Sequence, residues 1–493
     1  MPTSVLTRFL SNVISSGLGR AFTVAFGILC LFIYARWIPA EEYGGFVLLQ
    51  VLIGLGLYFS EFGIDTAVTR FIAGTEDPTE RRVVVNTGLY FRALCILLIS
   101  ALIFVLQDSV YKLLGGNIPK ELLVFLPFML LIEGLLSFYS YTLEGLLNFK
   151  VLAWISFIYG LTSFILTAVL VIPFGLGAYG LVWARLAPKF LCLILTIFAT
   201  KIPLRLELNW ERLRKMIKFG LPLYGNNLLG YGYSRADTII IGYLLGPAEI
   251  AIYEFARRIP ESLEMLYNAF KDVYFPFIVN LYASGARDKV ASMVNHANRL
   301  TCFLGGAATL LAFGLGEWFF RLAFSEQYLS SVPAFGVLMV VLIFIAMDAN
   351  LGYSLVAIGD SDKPLYINLV RFVVVLACYF LFIPRFNVVG AALSALIGLA
   401  VVNPINVFFL RRRALQISAT VYLKPLLLLT LGYLALFLFE QKLIITPIVF
   451  TVYMAASLLL GALRTEDVQM AYQEAFKIIS RLKIGLTKNK THS

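Results

Sequence analysis

The feature that most constrains this chain is the recurrence, from one end to the other, of apolar runs long enough to cross a membrane. A hydrocarbon core of ~30 Å takes about 20 apolar residues in a helix, since no backbone group can be left to water there. Breaks at charged, Pro-Gly or Asn-Asp clusters divide the sequence into about fourteen such runs. Helices are expected near 10–36, 44–72, 83–107, 121–147, 150–173, 178–201, 217–245, 248–280, 289–322, 332–358, 364–384, 388–410, 419–439 and 443–463. Soluble globules are usually ~45–50% apolar, and this chain is 60% hydrophobic and only 14% charged. The expected fold is therefore an all-α polytopic membrane protein without a large extramembrane domain. The first run reads as a span rather than a cleavable signal. It is longer than an h-region of ~7–15 residues, holds Arg20 in its middle and ends in RWIPAEEYG without a small-residue cleavage pattern.

Composition closes several function classes. Two histidines, His296 and His492, supply almost no imidazole for a metal site or a histidine-based triad, so no metal, cofactor or catalytic residue is expected. Cys30, Cys95, Cys192, Cys302 and Cys378 sit in apolar runs without CxxC spacing and read as buried thiols. GxxxxGK[ST] is absent, which excludes P-loop ATP hydrolysis by this chain. The net charge of +11 reads as a topology signal rather than a nucleic-acid footprint. Lys and Arg concentrate in one alternate set of loops (Arg81, Arg82, Arg212, Arg214, Arg411 to Arg413), which should be cytoplasmic. The basic tail falls on the same side, so both termini are expected inside. From Thr465 to Leu486 that tail reads either as an amphipathic helix on the anionic inner leaflet or as a solvated charge run.

The chain also repeats weakly at a separation of about 207 to 212 residues. RALC at Arg92 matches RLTC at Arg299, IPAEEYGGF resembles GPAEIAIYEF, and IPFGLGAYGLVWA resembles IPRFNVVGAALSA. The order and spacing predict two six-helix halves, 1–205 and 217–412, joined by a basic cytoplasmic linker at 206–216. Two additional helices (413–464) and the basic tail (465–493) follow. An even span number returns the chain to one side, making the halves parallel repeats with a central cavity as the expected binding site.

The segment ARWIPAEEYGGFVLLQVLIGLGLYFSEFGIDTAVTRFIA, Ala35 to Ala73, resembles the first two helices of bacterial polysaccharide flippases. GLPLYGNNLLGYGYSRADTIIIGYLLGPAEIAIYEFARRI, Gly220 to Ile259, resembles their seventh and eighth. The resemblance spans essentially the whole chain. It implies the multidrug/oligosaccharidyl-lipid/polysaccharide exporter fold, in the branch that flips O-antigen and exopolysaccharide repeat units across the bacterial inner membrane. The implied cargo is an undecaprenyl-diphosphate oligosaccharide, with membrane lipids around it and a polysaccharide polymerase and chain-length regulator as further partners. Two rivals remain: ion-coupled drug export by the same superfamily, whose mostly cationic cargo suits this chain poorly, and a membrane glycosyltransferase or polymerase, for which the external loops are too short.

Ionisable groups in hydrocarbon cost ~2.5–3.5 kcal/mol each on insertion scales and normally face a bundle interior or a watery path. Here cations outnumber anions at such depths; the spans carry Glu133, Arg185, Lys189 and Arg371 among others. An anionic cargo would account for the excess, and the planar fork of arginine grips phosphate oxygens in pairs. The candidate cationic cavity comprises Arg20, Arg92, Arg235, Arg258 and Arg299, with Asn226 and Asn227 near a bend in the seventh helix as sugar-binding amides. Each arginine has the alternative of a structural ion pair. Adjacent Arg257 and Arg258 point ~100° apart, so one should face the cavity while the other pairs with Glu254 or Glu261. Glu61 and Asp65, four apart, would share a helix face and exchange protons, or else Asp65 pairs with an arginine. Asp237 and Asp348 stand equally as proton acceptors, sugar ligands or counter-ions. Tyr224, Tyr231 and Tyr233 offer stacking surfaces or ordinary packing.

Overall fold

The computed structural model describes residues 3–113, 116, 120–360, 362–418, 420–439 and 441–463. The tail at 465–493, including the expected amphipathic helix, lies outside them. Among the described residues there is no strand; the elements are helices and turns. Their packing defines two compact units, Met1–Glu254 with Ala323–Tyr328, and Phe255–Leu322 with Leu329–Ser493.

The first unit contains α1 (Thr3–Trp37), α2 (Ala40–Glu61), α3 (Ile64–Ala73), α4 (Pro78–Val105), α5 (Gln107–Leu113), α6 (Lys120–Leu123), α7 (Leu126–Gly145), α8 (Phe149–Val171), α9 (Gly177–Thr200) and α10 (Trp210–Leu245). Local chemistry sets several boundaries. Asp77 accepts from the Thr79 amide just ahead of Pro78, a proline at the start of a helix where its missing N–H costs nothing. Asn209 caps α10 through the Arg212 amide at 3.0 Å. The helix expected over 44–72 is broken, because Phe62 and Gly63 both adopt left-handed backbone angles (φ 46° and 74°) between α2 and α3. Gly63 also lies directly against the backbone of Gly220 in α10, so a Cβ on either residue would collide with the other's main chain. The core joins Ile64, Val68 and Ile72 of α3 to Leu89 of α4, Phe138 of α7 and Met216 of α10. The connector 201–209 is bound down rather than slack: Arg82 pairs with Glu207 at 3.1 Å, Arg212 with Glu80, and Asn86 donates to the Pro203 carbonyl at 3.2 Å. Most of the expected linker, from Trp210 onward, is already helix.

α11 (Pro247–Ala283) begins in the first unit. The second unit holds the rest of it with α12 (Arg287–Ala323), α13 (Ser331–Ala357), α14 (Lys363–Arg412), α15 (Thr420–Leu438) and α16 (Lys442–Leu459). An unbroken helix of 50 residues would be about 75 Å long, more than twice the hydrocarbon thickness. It is in fact two helices meeting at Asn387 (φ 50°, ψ −136°), three residues after Pro384. Leu310 of α12, Met347 of α13, Leu428 and Leu429 of α15 and Tyr453 of α16 share one core, so the last two helices are integral to this unit. Eleven helical stretches among the described residues are long and apolar enough to cross a membrane. α10 and α11 have the length but carry the charges that matter below. Leu94, Leu98 and Val105 of α4 and Leu423, Leu427 and Leu438 of α15 project outward, as surfaces that face lipid do. The protein is a multi-pass membrane protein.

Candidate functional site

In the first unit the charges fall into three groups. Arg92 of α4, only 1% exposed, sets Nε 3.3 Å from Asp65 Oδ1 and donates through Nη1 to Ser60 Oγ at 2.7 Å and the Leu57 carbonyl at 3.3 Å. Ser137 Oγ of α7 donates to the other Asp65 oxygen at 3.0 Å. The pair is thus sealed and cross-linked into the core, in the ion-paired alternative rather than at a cavity wall. Glu61 is also buried, but it ends α2 while Asp65 opens α3. The shared helix face expected of them does not exist, because the left-handed turn at 62–63 intervenes.

The second group went unselected by sequence. Glu133 of α7 receives Arg185 of α9 as a fork, Nε to Oε1 at 2.7 Å and Nη2 to Oε2 at 3.0 Å, and Lys189 Nζ lies 2.5 Å from Oε2. Two cations on one carboxylate leave a formal charge of +1 near the middle of two spans, with the Arg185 and Lys189 side chains 20% and 16% exposed. The signal available was the four-residue spacing of Arg185 and Lys189, which puts like charges on one helix face where an anion is required.

The third group lies on α10 and the start of α11. Arg235, 28% exposed, stands 3.8 Å from the buried Glu254, and Asp237 Oδ1 accepts from the Thr238 amide at 2.6 Å and its hydroxyl at 3.2 Å. Tyr231 donates to the Val51 carbonyl at 3.1 Å and packs on Tyr58 with ring centroids 4.7 Å apart, while Tyr224 stacks on Phe62 at 5.5 Å. Both rings therefore serve helix packing. Asn227 is exposed; the side chains of Arg20, Asn226 and Tyr233 lie outside the described ones.

In the second unit, the adjacent arginines of α11 divide as helical geometry requires. Arg257 is buried and forks onto Glu261 at 2.9 and 2.6 Å, leaving Arg258 half-buried on another face. Asp348 of α13 accepts from Asn406 Nδ2 at 2.8 Å and faces Arg371 at 3.7 Å, so it has counter-ion partners. Arg299 of α12 is buried beside His296 and Lys424 at a pocket described below. A further polar chain carries no charge: Tyr267 donates to Asn350 Oδ1 at 2.5 Å, Asn350 Nδ2 to Asn298 Oδ1 at 3.2 Å, and Asn298 Nδ2 to the Tyr422 hydroxyl at 3.3 Å. No cluster of three or more potential ligating groups for a metal occurs among the described residues.

Comparison with known proteins places this geometry. Residues 33–333 match the profile of a family described as polysaccharide biosynthesis protein. The chain belongs to that family. Among its relatives, the probable low-salt glycan biosynthesis flippase Agl15 of Haloferax volcanii is 23% identical over 416 residues, covering 83% of each chain. A putative O-antigen transporter of Escherichia coli is 20% identical, covering 78% of this chain and 92% of its own. Among solved structures, the lipid II flippase MurJ in an inward closed conformation superposes with a TM-score of 0.68 at 15% identity, over 90% of this chain and 98% of its own. An inward-facing multidrug resistance MATE transporter of the MOP superfamily gives the same TM-score at 14% identity, over 81% and 98%. These likenesses show the fold, while the family is described as polysaccharide biosynthesis and its relatives are named as a flippase and an O-antigen transporter. The chain is a multi-pass transporter of that family.

Proposed function

We propose that this protein flips a lipid-linked oligosaccharide, with the lipid and sugar joined through a diphosphate, from the cytoplasmic to the outer leaflet of the bacterial inner membrane by alternating access. The observation that carries the reading is the surplus of positive charge at membrane depth. The Glu133, Arg185 and Lys189 cluster bears a net +1. Such charges hold phosphate oxygens well and repel the cationic amphiphiles of drug exporters. An inside-negative potential assists outward movement of an anion by ~2.3 kcal/mol per net charge per 100 mV. The relatives named as flippases and as an O-antigen transporter support the cargo class.

The division into six-helix repeats at 1–205 and 217–412, with α10 and α11 as membrane crossings despite their charges, cytoplasmic termini, and cooperation with a polymerase and chain-length regulator belong to the same proposal. Arg235, Arg258 and Arg20 are retained as cargo ligands with Asn226 and Asn227, and Glu61, Asp237 and Asp348 as proton-coupling groups. Arg92 and Asp65 pass to a structural role.

The test is leaflet transfer of a fluorescent undecaprenyl-diphosphate oligosaccharide in proteoliposomes under an imposed pH gradient. Transfer by the wild type, lost in Arg235→Ala and Arg258→Ala at unchanged thermal stability, is expected. Transfer of a cationic dye but no glycan would assign the protein to drug export instead.

A further inference from the structure

The second unit contains a pocket of about 190 Å³ between α12, the segment entering α15 and the turn after α16. Ser292, His296 and Arg299 line it at spacings of four and three residues, which place them on one face of α12. Ser418, Thr420 and Lys424 form the facing wall. Among the described residues its lining has three basic side chains and no acid. Thr420 is the first residue of α15, so the positive end of that helix dipole also borders the space.

The walls are tied in place. Asn295 of α12 donates to the Gln416 carbonyl at 2.9 Å and accepts from the Ser418 amide at 3.1 Å. Arg411 grips the Ile417 carbonyl through Nε at 3.0 Å and Nη2 at 2.6 Å. Lys424 Nζ reaches the Leu460 carbonyl at 2.9 Å, linking α15 to the end of α16. A basic pocket held open by this many bonds is preorganised for an anion, because the ligand need not order the loop that receives it.

Size and surroundings narrow the ligand. At about 190 Å³ the pocket is smaller than the ~300–1,000 Å³ of drug-sized sites. It admits a phosphate and a few attached atoms but no oligosaccharide. Next to Lys424 and Gly461, Leu423 is 64% and Leu459 85% exposed, and Leu427 continues the same outward row on α15. A charged notch bordered by lipid-facing leucines suits an amphiphile with an anionic head and apolar tails. The arginines at 411–413 place the pocket at the end of the unit read as cytoplasmic, against the anionic inner leaflet.

We propose that this pocket binds the phosphate headgroup of an anionic membrane phospholipid, with its acyl chains lying along the exposed leucines of α15. This reassigns Arg299 from the cargo cavity expected of it to a lipid site, and only the leaflet of that site depends on the functional reading above. Purified full-length protein would be titrated with phosphatidylglycerol or phosphatidylcholine and the retained lipid counted by native mass spectrometry, with inorganic diphosphate as the soluble phosphate probe. Phosphatidylglycerol should be retained in preference to phosphatidylcholine, and Arg299→Gln and Lys424→Gln should each weaken retention about tenfold. Because Lys424 is exposed, its variants should fold; Lys424→Arg should restore retention, and thermal unfolding checks each variant. Equal retention by wild type and folded Lys424→Gln would overturn the proposal, as would diphosphate binding without any preference for the anionic lipid. Retention lost in these variants while glycan transfer is absent even in wild type would leave the lipid site standing and the flippase reading refuted.

Discussion

The two units solve the same problem, polar groups inside a membrane protein, with different chemistry. The first buries formal charges: Asp65 with Arg92, and Glu133 with Arg185 and Lys189. The second also pairs charges, Arg257 with Glu261 and Asp348 with Arg371, but adds a thread of neutral amides and hydroxyls from Tyr267 through Asn350 and Asn298 to Tyr422. The repeat-related arginines sharpen the contrast, since Arg92 is locked against a carboxylate and Arg299 lines a pocket with two further basic side chains. A buried ion pair is costly to form and worse to break, whereas a neutral network loses less when one member is removed. The first unit should be the more brittle to single substitutions.

The largest effect should come from Arg92→Ala, which strands Asp65 in the core and should cost about 3–5 kcal/mol of stability. Replacing both partners with apolar residues, Asp65→Leu with Arg92→Met, should recover most of that loss in thermal or denaturant unfolding. If the double variant regains stability but not transport, Arg92 has a cargo role beyond the ion pair.

Glu133→Gln is next, because it leaves two adjacent cations without their shared anion; partial exposure of Arg185 and Lys189 should hold the cost to about 3 kcal/mol. Lys189→Gln in contrast leaves a one-to-one pair and should change stability by less than about 1 kcal/mol. Its informative readout is glycan transfer: a fall there without loss of stability would assign the surplus charge to the cargo. Asn350→Leu in the second unit should cost about 1–3 kcal/mol, since Tyr267 and Asn298 lose a partner but no charge is exposed. A loss equal to that of Arg92→Ala would break the contrast between the units.

Much of this fold was legible because membrane spans announce themselves as apolar runs, and the break between the two arms of α14 was marked by Pro384. The break at Phe62–Gly63 was hidden, since EFGID reads as a continuation of the apolar run around it, and left-handed geometry at phenylalanine has no compositional sign. That concealment misled the pairing of Glu61 with Asp65. Local spacing did identify Glu261 as a partner for one of the adjacent arginines, Arg257, because an i,i+4 carboxylate lies within one helix. Arg92 with Asp65, and Glu133 with Arg185, are contacts between helices, set by packing angles that a single sequence does not encode as a pattern. The same limit applies to the pocket at Arg299, whose walls come from residues more than a hundred positions apart.

The smallest effect belongs to an ion pair outside the bilayer. Arg413 forks onto Asp360, with Nε 2.8 Å from Oδ2, and clips the segment entering α14 to the segment leaving it. Hydrogen bonding from the guanidinium holds the Asp360 carboxyl below its usual range. A depressed carboxylate pKa contributes stability above the unfolded value, near ~3.9, and loses it as pH falls through the folded value. The difference in melting temperature between wild type and Arg413→Gln should therefore stay constant from about pH 8 to pH 5 and close only below about pH 4. Most of this arginine is in water, so the difference should be small and should shrink further in salt, which screens exposed pairs first. The Asp65–Arg92 pair is shielded from that screening. A salt series run on Arg413→Gln and Arg92→Ala together would then separate the two kinds of ion pair: the first difference fades and the second does not.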